Sequence, residues 1–367
     1  MADLPPGPNR FFNQWNLGLP WGLCSGPDCI ARENLMKCGG CHAIRYCGPA
    51  HQKADRPRHK SSCKLVKNAR EELAREEAAL RARPGDEYLP ENPFETARGS
   101  FWRWRPTRPY MEKRYILTAA LLNIRTETAV ETALEHSLEM LQLNRGDNQG
   151  IRSQVPGLYL RLGREQEAWD FIKFYATTAA ASDYSWGPED PFLDLHDEDI
   201  FERPEPYAEK LFDLSFLACL TNLKLRLLLD VQTLETQSKK PGNSNASYEK
   251  KMEWVREYPM SSVLYKRRDI VERSSWSDLF LDLQSQAEKM FDLVQKRNKH
   301  YWQALKTPDR WAAAIPTMYT AGSEEEINLV FRQTWYMWAE CQLMPPNLFL
   351  PSCFIQRSPH AIPSFPT

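Results

Sequence analysis

From about residue 110 to residue 341, apolar side chains recur at three- and four-residue steps, the period of amphipathic helices. Ala119, Leu121 and Leu122 begin the pattern, and Ala129, Ala133, Leu134, Leu138 and Leu141 carry it on. Asp147 and Asn148 read as a helix start, and Gly163 punctuates the turn before a helix over Gln166–Tyr175. That helix sets Ala168, Phe171, Ile172 and Tyr175 on one face. Residues 205–233 predict a helix buried on most sides, through Leu211, Leu214, Leu217, Ala218, Leu225, Leu228 and Leu229. A Gly/Ser/Asn loop at 239–247 interrupts the array. A long helix then keeps Trp276, Leu279, Phe280, Leu283, Ala287, Met290, Phe291 and Val294 in register. Ser323 to Glu326 has the spacing of a capping box and opens a last helix through Trp335 and Trp338.

Ahead of this body, Lys64 to about Arg83 reads as a charged, exposed helix, and 84–106 as a connector broken by Pro84, Pro90 and Pro93. Residues 1–23 are Pro/Gly-punctuated and hold Phe11, Phe12, Trp15 and Trp21; the end, 345–367, contains six prolines. Both segments are expected to be irregular. Two-residue alternation is nowhere sustained, so no sheet is expected outside 24–63. The layout is therefore an irregular 1–23, a compact Cys-rich 24–63, a helix and connector over 64–106, a helical domain over 107–344 and a Pro-rich tail over 345–367. The small residues Ala133 and Ala168 lie 35 apart, near the ~34-residue tetratricopeptide period. Pro156 falls between them as an expected kink. A helical bundle and a tetratricopeptide-like array both satisfy this pattern, and the fold class is mainly α either way.

Composition narrows the function. The 367 residues carry 47 Lys/Arg against 48 Asp/Glu, so the chain as a whole is not a basic nucleic-acid binder. The longest uncharged stretch of the most apolar helix, Leu214–Leu223, falls short of the ~20 residues of a membrane span. MADLPPGPNR has no charged start followed by an apolar run, so no secretory leader is expected and the location is intracellular, nucleus or cytoplasm. The sequon at Asn245 then reads as a chance match.

Six of the nine cysteines fall within residues 24–63, and without a secretory signal such clustering points to metal rather than disulfides. The pairs are Cys24-x4-Cys29, Cys38-x2-Cys41, Cys47-x3-His51 and His59-x3-Cys63. Zinc prefers four thiolate and imidazole ligands in a tetrahedron, and each short spacing lets one turn supply two. Eight ligands make two closed sites with no position left for a reacting water. Spacing leaves open whether consecutive or alternate pairs share an ion. His42 is set aside as a neighbour of Cys41, and Asp194, His196, Asp197, Glu198 and Asp199 as a solvated acidic run.

The run CGGCHAIRYCGPAHQKADRPRHKSSC resembles the MYND-type zinc finger, with Tyr46-Cys47, Gln52, Asp55, His59-Lys60 and Cys63 at matching positions. The resemblance implies interleaved pairs: one zinc on Cys24, Cys29, Cys47 and His51, the other on Cys38, Cys41, His59 and Cys63. It departs in three places. His51 replaces the usual Cys, Arg56 stands where the family often has Trp, and the first pair is spaced by four. That Trp helps to hold proline-containing peptides in some members, so peptide binding of that kind is not implied here. A finger followed by a helical body also resembles fungal MYND-finger proteins.

Three functions are compatible with this reading. The first is a zinc-binding protein–protein interaction module or adaptor, a reading that extends to a regulator linked to transcription, without catalysis. The alternative is a nucleic-acid-binding regulator. Between Cys24 and Arg70 there are ten Lys/Arg and three Asp/Glu, and six thiolates with two zinc ions would remove about two of those positive units. No DNA-reading Cys-to-His spacer is present. The third is a relative of lysine methyltransferases, some of which contain such fingers. Their Asn-His-Ser/Cys and Tyr-Gly stretches are missing after residue 63, as are Gly-rich phosphate loops and nucleophile elbows, so no enzyme is expected.

Overall fold

A computed structural model describes residues 22–340 except 188, 210–212, 258, 308–309, 312–315 and 317. The expectations for 1–21, for 341–367 and for Leu211 lie outside the described residues. Described residues up to Ile200 form one compact unit and those from Phe201 another.

In the first unit a two-stranded antiparallel ribbon, β1 (Met36–Lys37) and β2 (Arg45–Tyr46), pairs Met36 with Tyr46 and Lys37 with Arg45. Helix α1 then runs unbroken over Pro49–Arg81. The charged helix expected from Lys64 therefore begins fifteen residues earlier, inside the Cys-rich segment. Pro49 sits at its first turn, where the missing N–H costs nothing. Pro57 lies inside it and removes one helical hydrogen bond, but His51 before it and His59 and Cys63 after it face metal clusters that hold both sides. Ala82 N–H closes the helix on Ala78 O, and Pro84 stops it.

The connector is built into the core. Phe94, on the single-turn helix Pro93–Thr96, packs against Phe101 and Tyr110 with ring centroids 5.3 and 5.1 Å away. Helices α2 (Arg108–Leu122), α3 (Glu127–Leu143), α4 (Val155–Arg161) and α5 (Glu165–Ala176) pack in succession, and α1 lies on α2. Ala133 and Ala168 are fully buried, which is what close helix packing requires of them. Pro156 does not kink a helix; it occupies the first turn of α4. Asp147 opens no helix. Its carboxylate instead accepts from the N–H groups of Ile151 and Arg152 at 2.7 and 3.0 Å in the loop ahead of α4. The acidic run is tethered as well. Asp170 of α5 accepts from the N–H groups of Asp197 and Glu198, and Glu198 pairs with Lys173 at 2.6 Å.

In the second unit the apolar segment divides at Asp213. Glu205–Ala208 is a single turn, and Asp213 caps α6 (Leu214–Ser238) by accepting from the N–H groups of Ser215 and Phe216. Helices α7 (Tyr248–Glu257), α8 (Ser277–Arg297) and α9 (Glu324–Ala339) pack around α6. Burial runs far enough along α6 that Lys224, Arg226 and Asp230 are inside, each with polar partners: Lys224 with Glu202 O, Arg226 with Asn222 and Met337 O, Asp230 with Met260 N–H and Ser261. The capping box forms by half. Ser323 Oγ accepts from Glu326 N–H, but the Glu326 carboxylate turns to Gly322 N–H and Asn298. No described helix is long and apolar enough to cross a membrane.

Candidate metal centre

Four elements place the eight ligands. Cys24 and Cys29 bracket a tight loop, closed by Cys24 N–H to Ala31 O. Cys38 and Cys41 bracket the Gly-Gly turn after β1, closed by His42 N–H to Cys38 O. Cys47 directly follows β2, and α1 carries His51, His59 and Cys63.

These residues gather into two clusters whose ligand atoms all lie within 4.8 Å of one another. Cys24, Cys29, Cys47 and His51 form the first; Cys38, Cys41, His59 and Cys63 form the second. The pairs are therefore interleaved. A tetrahedral zinc with sulfur at ~2.3 Å and nitrogen at ~2.0–2.1 Å would separate two sulfurs by about 3.8 Å and sulfur from nitrogen by about 3.6 Å. Cys29 and Cys47 sulfurs are 3.8 Å apart, and Cys38 and Cys63 sulfurs 3.7 Å. Cys24 Sγ lies 3.5 Å from His51 Nδ1, and Cys41 Sγ 3.4 Å from His59 Nε2. Cys47 and His51 are tighter, at 3.0 Å. The sulfur spacings are far beyond the ~2.05 Å of a disulfide, and the donor set fits zinc.

Backbone N–H groups support the thiolates. Burial raises the Cys24 thiol, but the N–H groups of Cys47 and Gly26, with the His51 and Cys29 side chains, together bring it down to about 7. Cys38 follows the same pattern; burial raises it, and the N–H groups of Cys41 and Gly40, with the His59 and Cys63 side chains, together bring it down to about 6. Cys41 is pushed up to about 12, first by burial and then by the charges of Cys38 and Cys63. Cys47 rises to about 11 through burial and its neighbours Cys24 and Cys29. Each cluster thus holds one ready thiolate, Cys24 or Cys38, whose charge helps to hold Cys47 in the first cluster, and Cys41 and Cys63 in the second, protonated. A bound dication removes that repulsion, so metal loading releases protons.

Three features around the ligands were not legible as functional in the sequence. A Cβ on Gly26 would stand 2.5 Å from His51 Cβ, and one on Gly40 2.8 Å from Cys63 Sγ; both glycines exist because a ligand passes where a side chain would be. Tyr46 O–H donates to Asp55 Oδ2 at 2.6 Å, both residues buried, and this bond ties β2 to α1. Asp55 also receives Arg58 Nε at 2.7 Å. Finally, Arg70 donates to Cys41 O at 2.8 Å, and Thr126, the N-cap of α3, donates to Ala43 O at 2.6 Å. The adjacent Gly39-Gly40 was the one signal available for the second turn. Tyr46 and Asp55 stood at positions that match the finger family, but their bond, like the contacts of Gly26, Arg70 and Thr126, depends on segments brought together by the fold.

His42 is exposed and turns Nε2 to Gly39 O, outside both clusters. His136 is held in the helical part by Arg114 Nε at 3.2 Å.

No curated protein and no solved structure matches the chain. The MYND finger family matches residues 24–63, the segment that holds all eight ligands, with the interleaving the resemblance implied. Residues 24–63 are thus a MYND finger, a zinc-binding protein-interaction domain with two sites of three thiolates and one imidazole each.

Proposed function

We propose that this chain is a noncatalytic adaptor, in which zinc holds a recognition surface rigid and the helices carry it. The observation that supports this most is the ligand count: each cluster brings four protein ligands together within 4.8 Å. A zinc ion with four protein ligands has no open position at which to activate water or polarise a carbonyl, and such closed sites are structural. Departure from the peptide-binding members bears on the partner. Gln52 is exposed beside the second cluster, its Nε2 3.7 Å from Cys38 Sγ, while Arg56 presents a cation where the family often has an indole. A regulatory role, in the nucleus or the cytoplasm, follows from recognition rather than chemistry.

Proximity labelling with the full chain tests this reading. Partners of the wild type should be lost with Cys38→Ala and kept with Cys219→Ala, a buried cysteine of α6 outside the finger. An unchanged partner set with Cys38→Ala would move the function to the helices. Calorimetric binding of a methyl donor would revive an enzyme.

A further inference from the structure

The exposed side of α1 is a row of cations. Lys53, Arg56, Lys60, Lys64 and Lys67 recur at steps of three, four, four and three residues along it, and all five are exposed. At 100° and 1.5 Å per residue they fall within about 80° of the helix circumference over about 21 Å. Lys67 meets Glu71 at 3.7 Å. Lys53, Arg56, Lys60 and Lys64 have no ion pair among the described residues. Asp55, the one carboxylate between Pro49 and Arg70, is turned inward onto Tyr46 and Arg58. Like charges at these spacings repel one another, so the row does not help the helix to fold. The opposite face, with Asp55, His59, Val66, Ala69 and Leu73 buried, holds α1 in place regardless.

We propose that this row docks an acidic segment of a partner polypeptide laid along α1. The inference rests on the interaction-module reading and adds the chemical class of the partner. An extended acidic strand presents alternate side chains on one face about every 6.7 Å. Neighbouring cations of the row are spaced by about 4.5–6 Å along the axis, and flexible lysine stems absorb the difference. Nucleic acid fits less well. A helix in a duplex groove meets two phosphate backbones on its two flanks, with base-reading side chains between, whereas this is a single row. A single strand needs aromatic platforms for its bases. Tyr46 is the sole Phe, Tyr or Trp between Cys24 and Glu87, and it is 2% exposed.

Fluorescence anisotropy on the full zinc-loaded chain provides the test, using a labelled peptide of about twelve residues that alternates Glu and Ser. Binding should be measurable at about 0.05 M salt and weaken about tenfold by about 0.3 M, because exposed charges are screened. The variant Arg56→Glu/Lys64→Glu should weaken it about tenfold or more while retaining the wild-type zinc content. The proposal is overturned if the wild type does not bind the peptide at low salt, if the zinc-replete variant binds as the wild type does, or if an oligothymidylate of equal length binds more tightly. Should any of these occur while Cys38→Ala still loses its partners, the adaptor reading stands and the acidic partner alone is removed.

Discussion

The Tyr46–Asp55 hydrogen bond is the most direct lever on the finger, because it joins the strand that leads into Cys47 to the helix that carries His51 and His59. Tyr46→Phe removes one oxygen and leaves the ring, including its edge contact with His59 at 6.4 Å between centroids. Asp55 then keeps Arg58, whose side chain is 73% exposed, and loses its buried donor. Tyr46 is the donor throughout the neutral range, since burial and the Asp55 carboxylate both push its ionisation upward. A hydrogen bond to a charged group contributes about 1.5–3 kcal/mol, and an unsatisfied buried acceptor costs a similar amount. So small a segment has little core of its own, so its folding and its zinc binding are one equilibrium. The loss should therefore appear as about ten- to hundredfold weaker zinc retention, at about 1.4 kcal/mol per decade. Competition against a chromophoric chelator measures this, and both ions should be affected because the bond lies between the clusters. Retention within about twofold of the wild type would refute the reasoning.

Adding one methyl group should separate the two sites. Gly26→Ala should displace His51 and lower retention at the first site, and Gly40→Ala should displace Cys63 and lower it at the second; metal analysis during chelator titration would show one ion leaving early in each case. Complete zinc removal should expose the amides of 24–63 to exchange, while the stretch of α1 anchored by Val66, Ala69, Leu73 and Leu80, and helices α2 to α5, retain protection in hydrogen exchange. Acid should act through His136, which burial first, and then Arg114 and Arg70, hold down to about 4. The unfolded chain takes up that proton at about 6.5 and the native state does not, so its contribution is full above about 6.5 and falls as pH drops, by about 2 kcal/mol at pH ~5. Urea titrations at the two pH values should give a smaller acid loss for His136→Gln than for the wild type, and an equal loss would remove His136 as the cause.

Eight ligands could be read from spacing because zinc demands sulfur and nitrogen donors on short turns, and that demand is local. Helical periods at Ala129–Leu141 and Leu279–Val294 were equally plain, since one buried face repeats every three or four residues. Where elements begin and end was another matter. Asp213 divides 205–233 and Pro156 starts a helix instead of kinking one, because a cap or a first turn depends on which N–H groups are left without partners. Asp147 and Glu326 show the same point from the polar side: each bonds N–H groups or side chains whose positions the rest of the unit sets.

Unaided, the order of residues determined that this protein is mainly helical and that its front segment brings eight thiol and imidazole ligands for two ions, while which pairs share an ion was implied by the finger family and decided by the fold. Tertiary structure alone decided that a single helix runs from the second half of the finger into the body, that Gly26 and Gly40 leave room for His51 and Cys63, that Tyr46 meets Asp55, and that five cations share one outward row. Ligand chemistry and helical period act over a few residues, whereas close approach, burial and exposure depend on segments that meet only after the chain has folded.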